Sequence, residues 1–393
     1  MRRIYMAVCA LSLASAAVMA QDMTDVLLSV ERNNKELQAL QKSNEAQLVE
    51  YRSGNIVEDP TIEYSPFFAP GTKGVASSEL VVKLGFDFPT LYASRNKAGK
   101  MQQTALDMQY QLRRRDILLE AKKICLDLIR LNQERALLDE RMRNADELLA
   151  MFERRLAEGD ASLLDVNKIR MDRMNVNTEV VQNGTERAML LQSLTALNGN
   201  QPLTFDAAAY PAVPLIAYSD TLCDTLVNTD FAVRAARASA EQAEQEVSVN
   251  RQNWIPKFEV GYRRNTDMND AVNGFMVGGS VPIFSSANKV RSAKAKAVSA
   301  SLEVESVQMS AEAQVRSLLN TAVQLRRTAD TYDTALMYST LRLLRTAVEN
   351  GELSIIEYYV EADNIYKNLQ AYMTVENQYQ QTVAEIYKNR LLE

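Results

Sequence analysis

Few residues in this sequence could carry chemistry, and most catalytic or ligating arrangements are missing. The 393 residues contain no histidine and only three cysteines, which excludes a histidine base, a serine–histidine couple and a histidine-ligated metal. Neither a glycine-rich phosphate loop nor a nucleophile elbow occurs. Neighbouring carboxylates such as Glu361 and Asp363 fit a solvated helix face better than acid–base catalysis. The sequence therefore predicts no enzyme activity, no metal site and no cofactor.

Two short motifs combine an apolar residue, a glycine, a serine and an acid at intervals of three. The glycine can adopt the positive φ that ends a helix, and the serine can cap the N-terminus of the next helix. Each motif is therefore interpreted as the turn of a helical hairpin. The two sets are Leu156, Gly159, Ser162 and Asp165, and Val348, Gly351, Ser354 and Glu357.

The two turns belong to a duplication that covers most of the chain. Residues 94–97 resemble residues 286–289 at the same separation as the two turn glycines. Pro60 matches Pro256 at nearly the same offset. Several matches in one order with nearly constant offsets are unlike chance, and they predict two copies of one structural unit.

The N-terminal residues 1–20 have the features of a secretory signal peptide. Arg2 and Arg3 precede an apolar stretch that is short for a transmembrane helix, and Ala20 provides a small residue at the expected cleavage site. An uncleaved membrane anchor is the alternative. The pattern predicts that the protein is exported from the cytoplasm.

The rest of the chain is predicted to divide into a first repeat at 21–200, a linker at 201–222 and a second repeat at 223–393. Each repeat should hold a helical stretch, two short strands and a long helical hairpin. The predicted strands are 60–68 and 79–88 in the first repeat, and 256–264 and 274–284 in the second.

The predicted strands alternate apolar and polar residues, which places one row on each face of a sheet. Four strands are too few to build a soluble sandwich from nearly four hundred residues, and the alternative is a transmembrane barrel wall. On the strands alone, both interpretations stay open. An arginine at Val82 or Val260, on the apolar face, should be costly, whereas one at Gly261 should be tolerated better. Aromatic residues typical of a membrane interface lie near the strand ends: Tyr64, Phe88, Trp254 and Phe284.

The helical patterns are unusually long. No glycine lies between Gly99 and Gly159, or between Gly279 and Gly351. From Val290 to Leu336 apolar residues recur at spacings of three and four, which is the heptad seam of a coiled coil. A helix over 92–158 would be about 100 Å long. No globular domain of this size can bury such a helix, so the helices must pack in a coiled-coil bundle or tube.

With these features together, the sequence resembles the TolC family of outer-membrane efflux proteins over essentially the whole mature chain. The resemblance rests on the two turn motifs in their order and spacing. It also rests on residues 281–284, Val-Pro-Ile-Phe, which are similar to the Pro-Leu-Phe that ends the fourth strand in the family. The resemblance implies a mostly α fold with a small β part. In the implied homotrimer each chain gives four strands to a transmembrane β-barrel and its helices to a long α-helical barrel.

The implied function is that of an outer-membrane channel, the exit duct of a tripartite efflux or secretion system in a Gram-negative bacterium. Its implied partners are a periplasmic adaptor, an inner-membrane pump and outer-membrane lipid. The net charge of −6 disfavours nucleic acid as a partner. The alternatives are a periplasmic coiled-coil adaptor and a structural envelope protein.

The resemblance also implies roles for the two turns. They would form the tips where the adaptor docks, and Asp165 and Glu357 would lie near the channel entrance. Three copies of Glu357 close together would repel one another and raise the pKa of this carboxyl. The alternative is that Glu357 only stabilises the first turn of its helix.

Overall fold

A computed structural model describes residues 22–71, 73–267, 270–282 and 286–392. The predicted signal peptide and Phe284 lie outside this range. The first half contains, in order, α1 (Met23–Asn33), α2 (Lys35–Ser53), β1 (Thr61–Phe67), β2 (Ser77–Phe86), α3 (Pro89–Glu158) and α4 (Leu163–Leu197). The second half contains α5 (Asp220–Thr229), α6 (Phe231–Gln252), β3 (Lys257–Asp267), β4 (Ala271–Ser280), α7 (Ser286–Ala329), α8 (Thr334–Glu349) and α9 (Ile355–Ile386).

Both halves begin with a helix pair that bends at a buried polar residue. Asn34 separates α1 from α2, and Asp230 separates α5 from α6. Each leaves the helical conformation, with ψ near 120°, and its side chain accepts a hydrogen bond from the first turn of the next helix. The two halves thus share the order of helices, strands and hairpin, with α7 and α8 in the place of α3, and they also share a bend that the sequence analysis did not predict.

The four strands form one antiparallel sheet in the order β1-β2-β3-β4. Strands lie at all four predicted places, with ends that differ by a few residues. Strand β2 ends at Phe86, so Phe88 is not a strand residue as predicted; it is the N-cap of α3. Pro89 at the first helical position explains this end, because proline fixes a helical φ and has no N–H to donate to a neighbouring strand.

Helix α3 runs without a break for 70 residues, about 100 Å at 1.5 Å per residue. It ends at Gly159, as the turn motif predicts. The predicted seam along it is largely buried: Leu118, Ala121, Cys125 and Leu128 are each essentially inaccessible to solvent. The long helix and its inward face therefore agree with the sequence pattern.

The seam predicted from Val290 to Leu336 is wrong at its end, because the helix breaks at residues 330–333. The N–H groups of Thr331 and Tyr332 bond three residues back, which tightens and ends α7. Asp333 then caps α8, its carboxylate accepting the Leu336 N–H at 2.9 Å. Leu336 itself is 61% exposed. The helix stops here without glycine or proline, because an aspartate N-cap favours a new start.

The helices pack around three large hydrophobic clusters and a small fourth one, in which Leu91 and Ala98 of α3 meet Val249 of α6. One joins α1, α3, the end of α4 and the linker residues Leu203 and Phe205. The second lies between the two hairpins, α3–α4 and α8–α9. The third joins α5, α6, α7 and the end of α9. Cys125 and Cys223 are buried in the first and third clusters and are not bridged.

Within the described ranges, no helix combines the length and apolar character needed to cross a membrane.

Candidate functional site

The two hairpin turns have nearly the same backbone geometry. Gly159 has φ +85° and Gly351 has φ +76°. After each glycine the next N–H bonds back to a carbonyl of the preceding helix, that of Arg155 at 2.8 Å or Ala347 at 2.8 Å. A Cβ at either glycine would meet nothing within 4 Å. The requirement for glycine therefore comes from the left-handed backbone and not from lack of space.

Each turn is followed by a reciprocal capping box. Ser162 accepts the Asp165 N–H at 3.1 Å, and the Asp165 carboxylate accepts the Ser162 N–H at 2.9 Å. Ser354 and Glu357 repeat this pair at 3.2 and 3.1 Å. The structure thus shows the positive φ and the serine caps that the motifs predicted.

The Glu357 carboxylate is engaged by its own helix end. The Ser354 hydroxyl and then the Ser354 N–H donate to it, and these bonds lower the pKa of Glu357. In the single chain the pKa shift therefore has the opposite direction from the one expected for a ring of three carboxylates. Glu357 is ionised at neutral pH, and Asp165 occupies the same place in the first hairpin.

The two hairpins are joined beside their tips by two arginines that the sequence did not reveal as cross-links. The Arg155 guanidinium donates to the Val348 carbonyl at 3.4 Å and to the Glu349 carbonyl at 2.5 Å, at the C-terminus of α8. A cation there is stabilised by the unpaired carbonyls and the helix dipole. The C-terminus of α8, in the second hairpin, is therefore capped by the Arg155 side chain of the first hairpin.

Arg345 makes the reverse connection, from α8 to α3. Its guanidinium donates to the Asn144 side chain at 2.5 Å and to the Glu147 carboxylate, both on α3. Within α8 it also pairs with Glu349 at 2.8 Å. Leu353, between the turn glycine and the cap, packs instead against the second hydrophobic cluster. Both arginines lie a few residues before a turn glycine, which is the only sign of their role in the sequence.

The sheet separates apolar and polar residues as the alternation predicted. Residues on one face pair across the strands in register, so that apolar side chains line up from edge to edge. One apolar row is Ile62, Val82, Tyr262 and Phe275, and the corresponding row on the other face is Thr61, Lys83, Gly261 and Met276.

The second face carries ion pairs between neighbouring strands. Lys83 pairs with Glu63 at 2.9 Å, and Arg263 pairs with Glu79. On the first face, apolar side chains are open to solvent: Phe275 is 94% exposed and Val277 is 81% exposed. An apolar face of this extent on a soluble surface is unusual and indicates an apolar neighbour.

Arginine at Gly261 was expected to be tolerated better than at Val82 or Val260, but that expectation did not take account of the space at Gly261. A Cβ at Gly261 would lie 2.6 Å from the Val82 carbonyl oxygen and 3.1 Å from the Lys83 Cα. Both contacts involve the backbone of the paired strand, which cannot move aside without opening the sheet. Any side chain at Gly261 therefore disturbs strand pairing, whichever face it is on.

Three of the four aromatic residues assigned to a membrane interface lie in the described range. Phe88 and Trp254 stand at the helical end of the sheet, where Phe88 packs 6.4 Å from the Phe258 ring and Trp254 is 65% exposed. Tyr64 lies on the apolar face in the middle of β1 and is 60% exposed. The sequence analysis placed these three residues near strand ends, and this is correct for Phe88 and Trp254 but not for Tyr64.

Comparison with known proteins identifies the architecture. Residues 222–389 match the family model of the outer membrane efflux protein. The structure is similar to the outer membrane protein VceC of Vibrio cholerae, with TM-score 0.73, 14% identity, and coverage of 93% of this chain and 95% of that chain. It is also similar to the CmeC outer membrane channel of Campylobacter jejuni, with TM-score 0.75, 15% identity, and coverage of 93% and 85%.

A third similar structure is the MtrE outer membrane channel of Neisseria gonorrhoeae, with TM-score 0.72, 16% identity, and coverage of 93% and 88%. The sequence matches no curated protein. At these identities the structural likeness establishes the fold. Residues 222–389 are thus similar to the outer membrane efflux protein family, and over more than nine-tenths of its length the chain has the fold of these outer-membrane proteins.

Proposed function

We propose that this protein is the exit duct of a tripartite efflux or secretion system and conducts its cargo passively through the outer membrane. The observation that carries the proposal is the two-faced sheet at the end of a helical layer about 100 Å long. Its apolar face suits lipid and its ion-paired face suits an aqueous channel. The family and the fold are those of channels, and no enzymatic step is required.

The duct is completed by further copies of the chain. Strands β1 and β4 are the two edges of the sheet, and an open edge leaves backbone groups that lipid cannot satisfy. Helices α2, α3, α6 and α7 lie side by side in the same order as the strands. Because the helices follow the order of the strands, neighbouring copies can extend the sheet and the helical layer together into one closed barrel. The resemblance to the TolC family favours three copies.

The hairpin tips are proposed to dock a periplasmic adaptor, which links the duct to an inner-membrane pump. Leu163 and Leu164 open the helix after the first turn and are 59% and 66% exposed. Ile356 occupies the corresponding position after the second turn and is 46% exposed. Apolar side chains held outward by two rigid capping boxes form a contact surface that a partner hairpin can cover.

Cell fractionation tests the proposal against its two rivals. The mature protein, freed of residues 1–20, should be found in the outer membrane as a detergent-requiring trimer that chemical cross-linking captures. A periplasmic adaptor or a structural coiled-coil protein would instead be soluble after osmotic shock. Recovery of a water-soluble monomer from the periplasm would refute the proposal.

Replacement of Gly351 by valine should reduce transport while leaving the trimer intact. A β-branched residue in the left-handed conformation costs about 1–2 kcal/mol, and relief of that strain would displace the second tip. Site-specific cross-linking to the adaptor and cargo efflux should both fall. Asparagine is the matched control, because it adopts positive φ more readily. Normal efflux and normal adaptor cross-linking in Gly351→Val would show that the turn at Gly351 is not part of the docking surface.

Replacement of Glu357 by glutamine should weaken cation selectivity and block by multivalent cations in planar-bilayer recordings. The reason is that a ring of carboxylates at the entrance attracts cations. Ser354→Ala is the matched control, because it removes the capping hydroxyl of the same helix and keeps the Glu357 carboxylate. An equal change in Ser354→Ala would mean that the effect comes from the cap, and no change in Glu357→Gln would place Glu357 away from the entrance.

A further inference from the structure

Beneath the linker lies a pocket that the duct function does not use. It has a volume of about 410 Å³ and separates the proline-containing segment 211–214 from helices α3 and α9. The linker is fastened just before this segment, where the Tyr210 hydroxyl donates to Asn377 at 3.2 Å. We call this space the linker pocket; it is lined by Lys122, Leu126, Pro211, Val213, Gln380 and Val383, together with Tyr387 and Arg390.

Two polar groups of the linker pocket have no partner among the residues that the structure describes. Within the described residues Lys122 forms no ion pair and no hydrogen bond, and burial lowers the pKa of its ammonium group. Gln380 is only 6% exposed, and no donor in the described part of the chain reaches its buried Oε1. Its Nε2 is already used, donating to Glu376 at 3.0 Å. Buried polar atoms are normally satisfied, so Gln380 Oε1 points to an occupant that carries a donor. The partly exposed Lys122 supplies a cation beside it.

The other walls define what that occupant must look like. Leu126, Val213 and Val383 are apolar, and the charged residues of the lining are Lys122 and Arg390, both basic. An anionic group complements the Lys122 ammonium, and Gln380 Oε1 accepts a hydrogen bond from an N–H or O–H donor. The remaining lining requires an apolar body between these two polar groups.

We propose that the linker pocket binds a small amphipathic organic anion that carries a hydrogen-bond donor. Its anionic group contacts the Lys122 ammonium, its donor reaches Gln380 Oε1, and its apolar body lies against Leu126, Val213 and Val383. Because the pocket is formed by one chain at a distance from the turns and from the sheet, the proposal does not depend on channel activity. It also gives the linker a role as one wall of a binding site.

N-acetyl-L-leucinate is a probe with a carboxylate, an N–H donor and an apolar side chain. Equilibrium dialysis against the full mature protein in lipid nanodiscs should give a dissociation constant below about 1 mM, within reach of a ligand of this size. The uncharged N-acetyl-L-leucinamide should bind at least tenfold more weakly. The N-methylated probe, which lacks the donor, should also lose affinity. Absence of measurable binding by N-acetyl-L-leucinate would overturn the proposal.

Variants of the pocket separate specific binding from adsorption. Lys122→Met should weaken binding at least tenfold, and Gln380→Leu should abolish the preference for the N–H probe over its N-methylated form. Lys123→Met is the matched control: the adjacent lysine pairs with Glu385 at 2.7 Å and does not line the pocket. Equal affinity of Lys122→Met and Lys123→Met would refute the site.

A second readout does not depend on the variants. The lowered pKa makes Lys122 more reactive than an exposed lysine toward an amine-acylating reagent at mildly alkaline pH. N-acetyl-L-leucinate should protect Lys122 from acylation, as measured by peptide mass spectrometry, and should leave Lys123 unaffected. Labelling of Lys122 that is unchanged at saturating probe would place the probe elsewhere and contradict the proposal.

Discussion

Val277→Arg should sharply reduce the amount of assembled protein in the outer membrane, whereas Met276→Arg should leave most of it in place. The two residues are neighbours on β4 and face opposite sides of the sheet. Val277 lies on the apolar face and is 81% exposed. An arginine on the lipid side of a barrel costs about 2–4 kcal/mol near the bilayer midplane. Met276 lies opposite Gly261 on the ion-paired face, where a charge stays in water.

The measurement is the quantity of cross-linkable trimer in purified outer membranes, normalised to total synthesis. A loss of tenfold or more for Val277→Arg and less than twofold for Met276→Arg would match the assigned faces. Val82→Arg and Val260→Arg, also on the apolar face, should behave like Val277→Arg. Equal losses at Val277 and Met276 would mean that the faces are not divided between lipid and water.

The division of faces was predictable because side chains in a strand alternate with a period of two. Gly261 shows where that reasoning ends. Its close approach to the Val82 carbonyl depends on which residue of β2 pairs with it, and this register is set by contacts distant in sequence. The pattern alone predicts the side on which a residue lies but not the space available there.

The helices show the same contrast. The length of α3 followed from the shortage of helix-breaking residues and from Gly159 at its end. The break at 330–333 contains neither glycine nor proline, so the shortage of these residues could not predict it. The break is instead marked by Asp333, because aspartate is a common N-cap residue at the start of a helix. Its side chain accepts the N–H of the residue three positions ahead.

Tip contacts made by Arg155 and Arg345 could not be predicted from local pattern. Each bonds to the other hairpin, nearly two hundred residues away in the chain. The capping boxes at Ser162 and Ser354 could be anticipated, because they involve residues three positions apart. What is local in the candidate site was therefore predictable, and what joins the two repeats was not.

A buried ionic cluster joins the two repeats at the bend between α5 and α6, and no sequence pattern indicated it. The Asp230 carboxylate accepts from Arg115 at 2.9 Å, pairs with Lys388 at 3.4 Å and accepts the Ala232 N–H at 2.7 Å. Asp230 is 3% exposed and Arg115 is 7% exposed. One side chain thus caps α6 and neutralises cations from α3 and from the C-terminal segment.

Asp230→Ala should lower the free energy of unfolding by about 3–5 kcal/mol, because it removes the buried counter-ion shared by Arg115 and Lys388. Loss of the N-cap adds about 1 kcal/mol. The measurement is guanidinium unfolding of the detergent-solubilised protein, followed by far-ultraviolet circular dichroism. Asp116→Ala is the matched control, because Asp116 also pairs with Arg115 but its side chain is 41% exposed; its effect should stay below about 1 kcal/mol.

The contribution of Asp230 should also depend on pH, with a sign that follows from its pKa. Burial alone would raise the pKa of this carboxyl, but Lys388, the Ala232 N–H and Arg115 outweigh burial and hold the pKa below the ordinary value of 3.8. The folded state therefore binds this proton less readily than the unfolded state. The stabilisation should be fully present above pH 3.8 and should be lost as the pH falls through the lower folded-state pKa. The stability difference between the native protein and Asp230→Asn should accordingly be constant near neutrality and shrink below about pH 4. A difference that grows on acidification would mean that the Asp230 carboxylate is not stabilised by these cations.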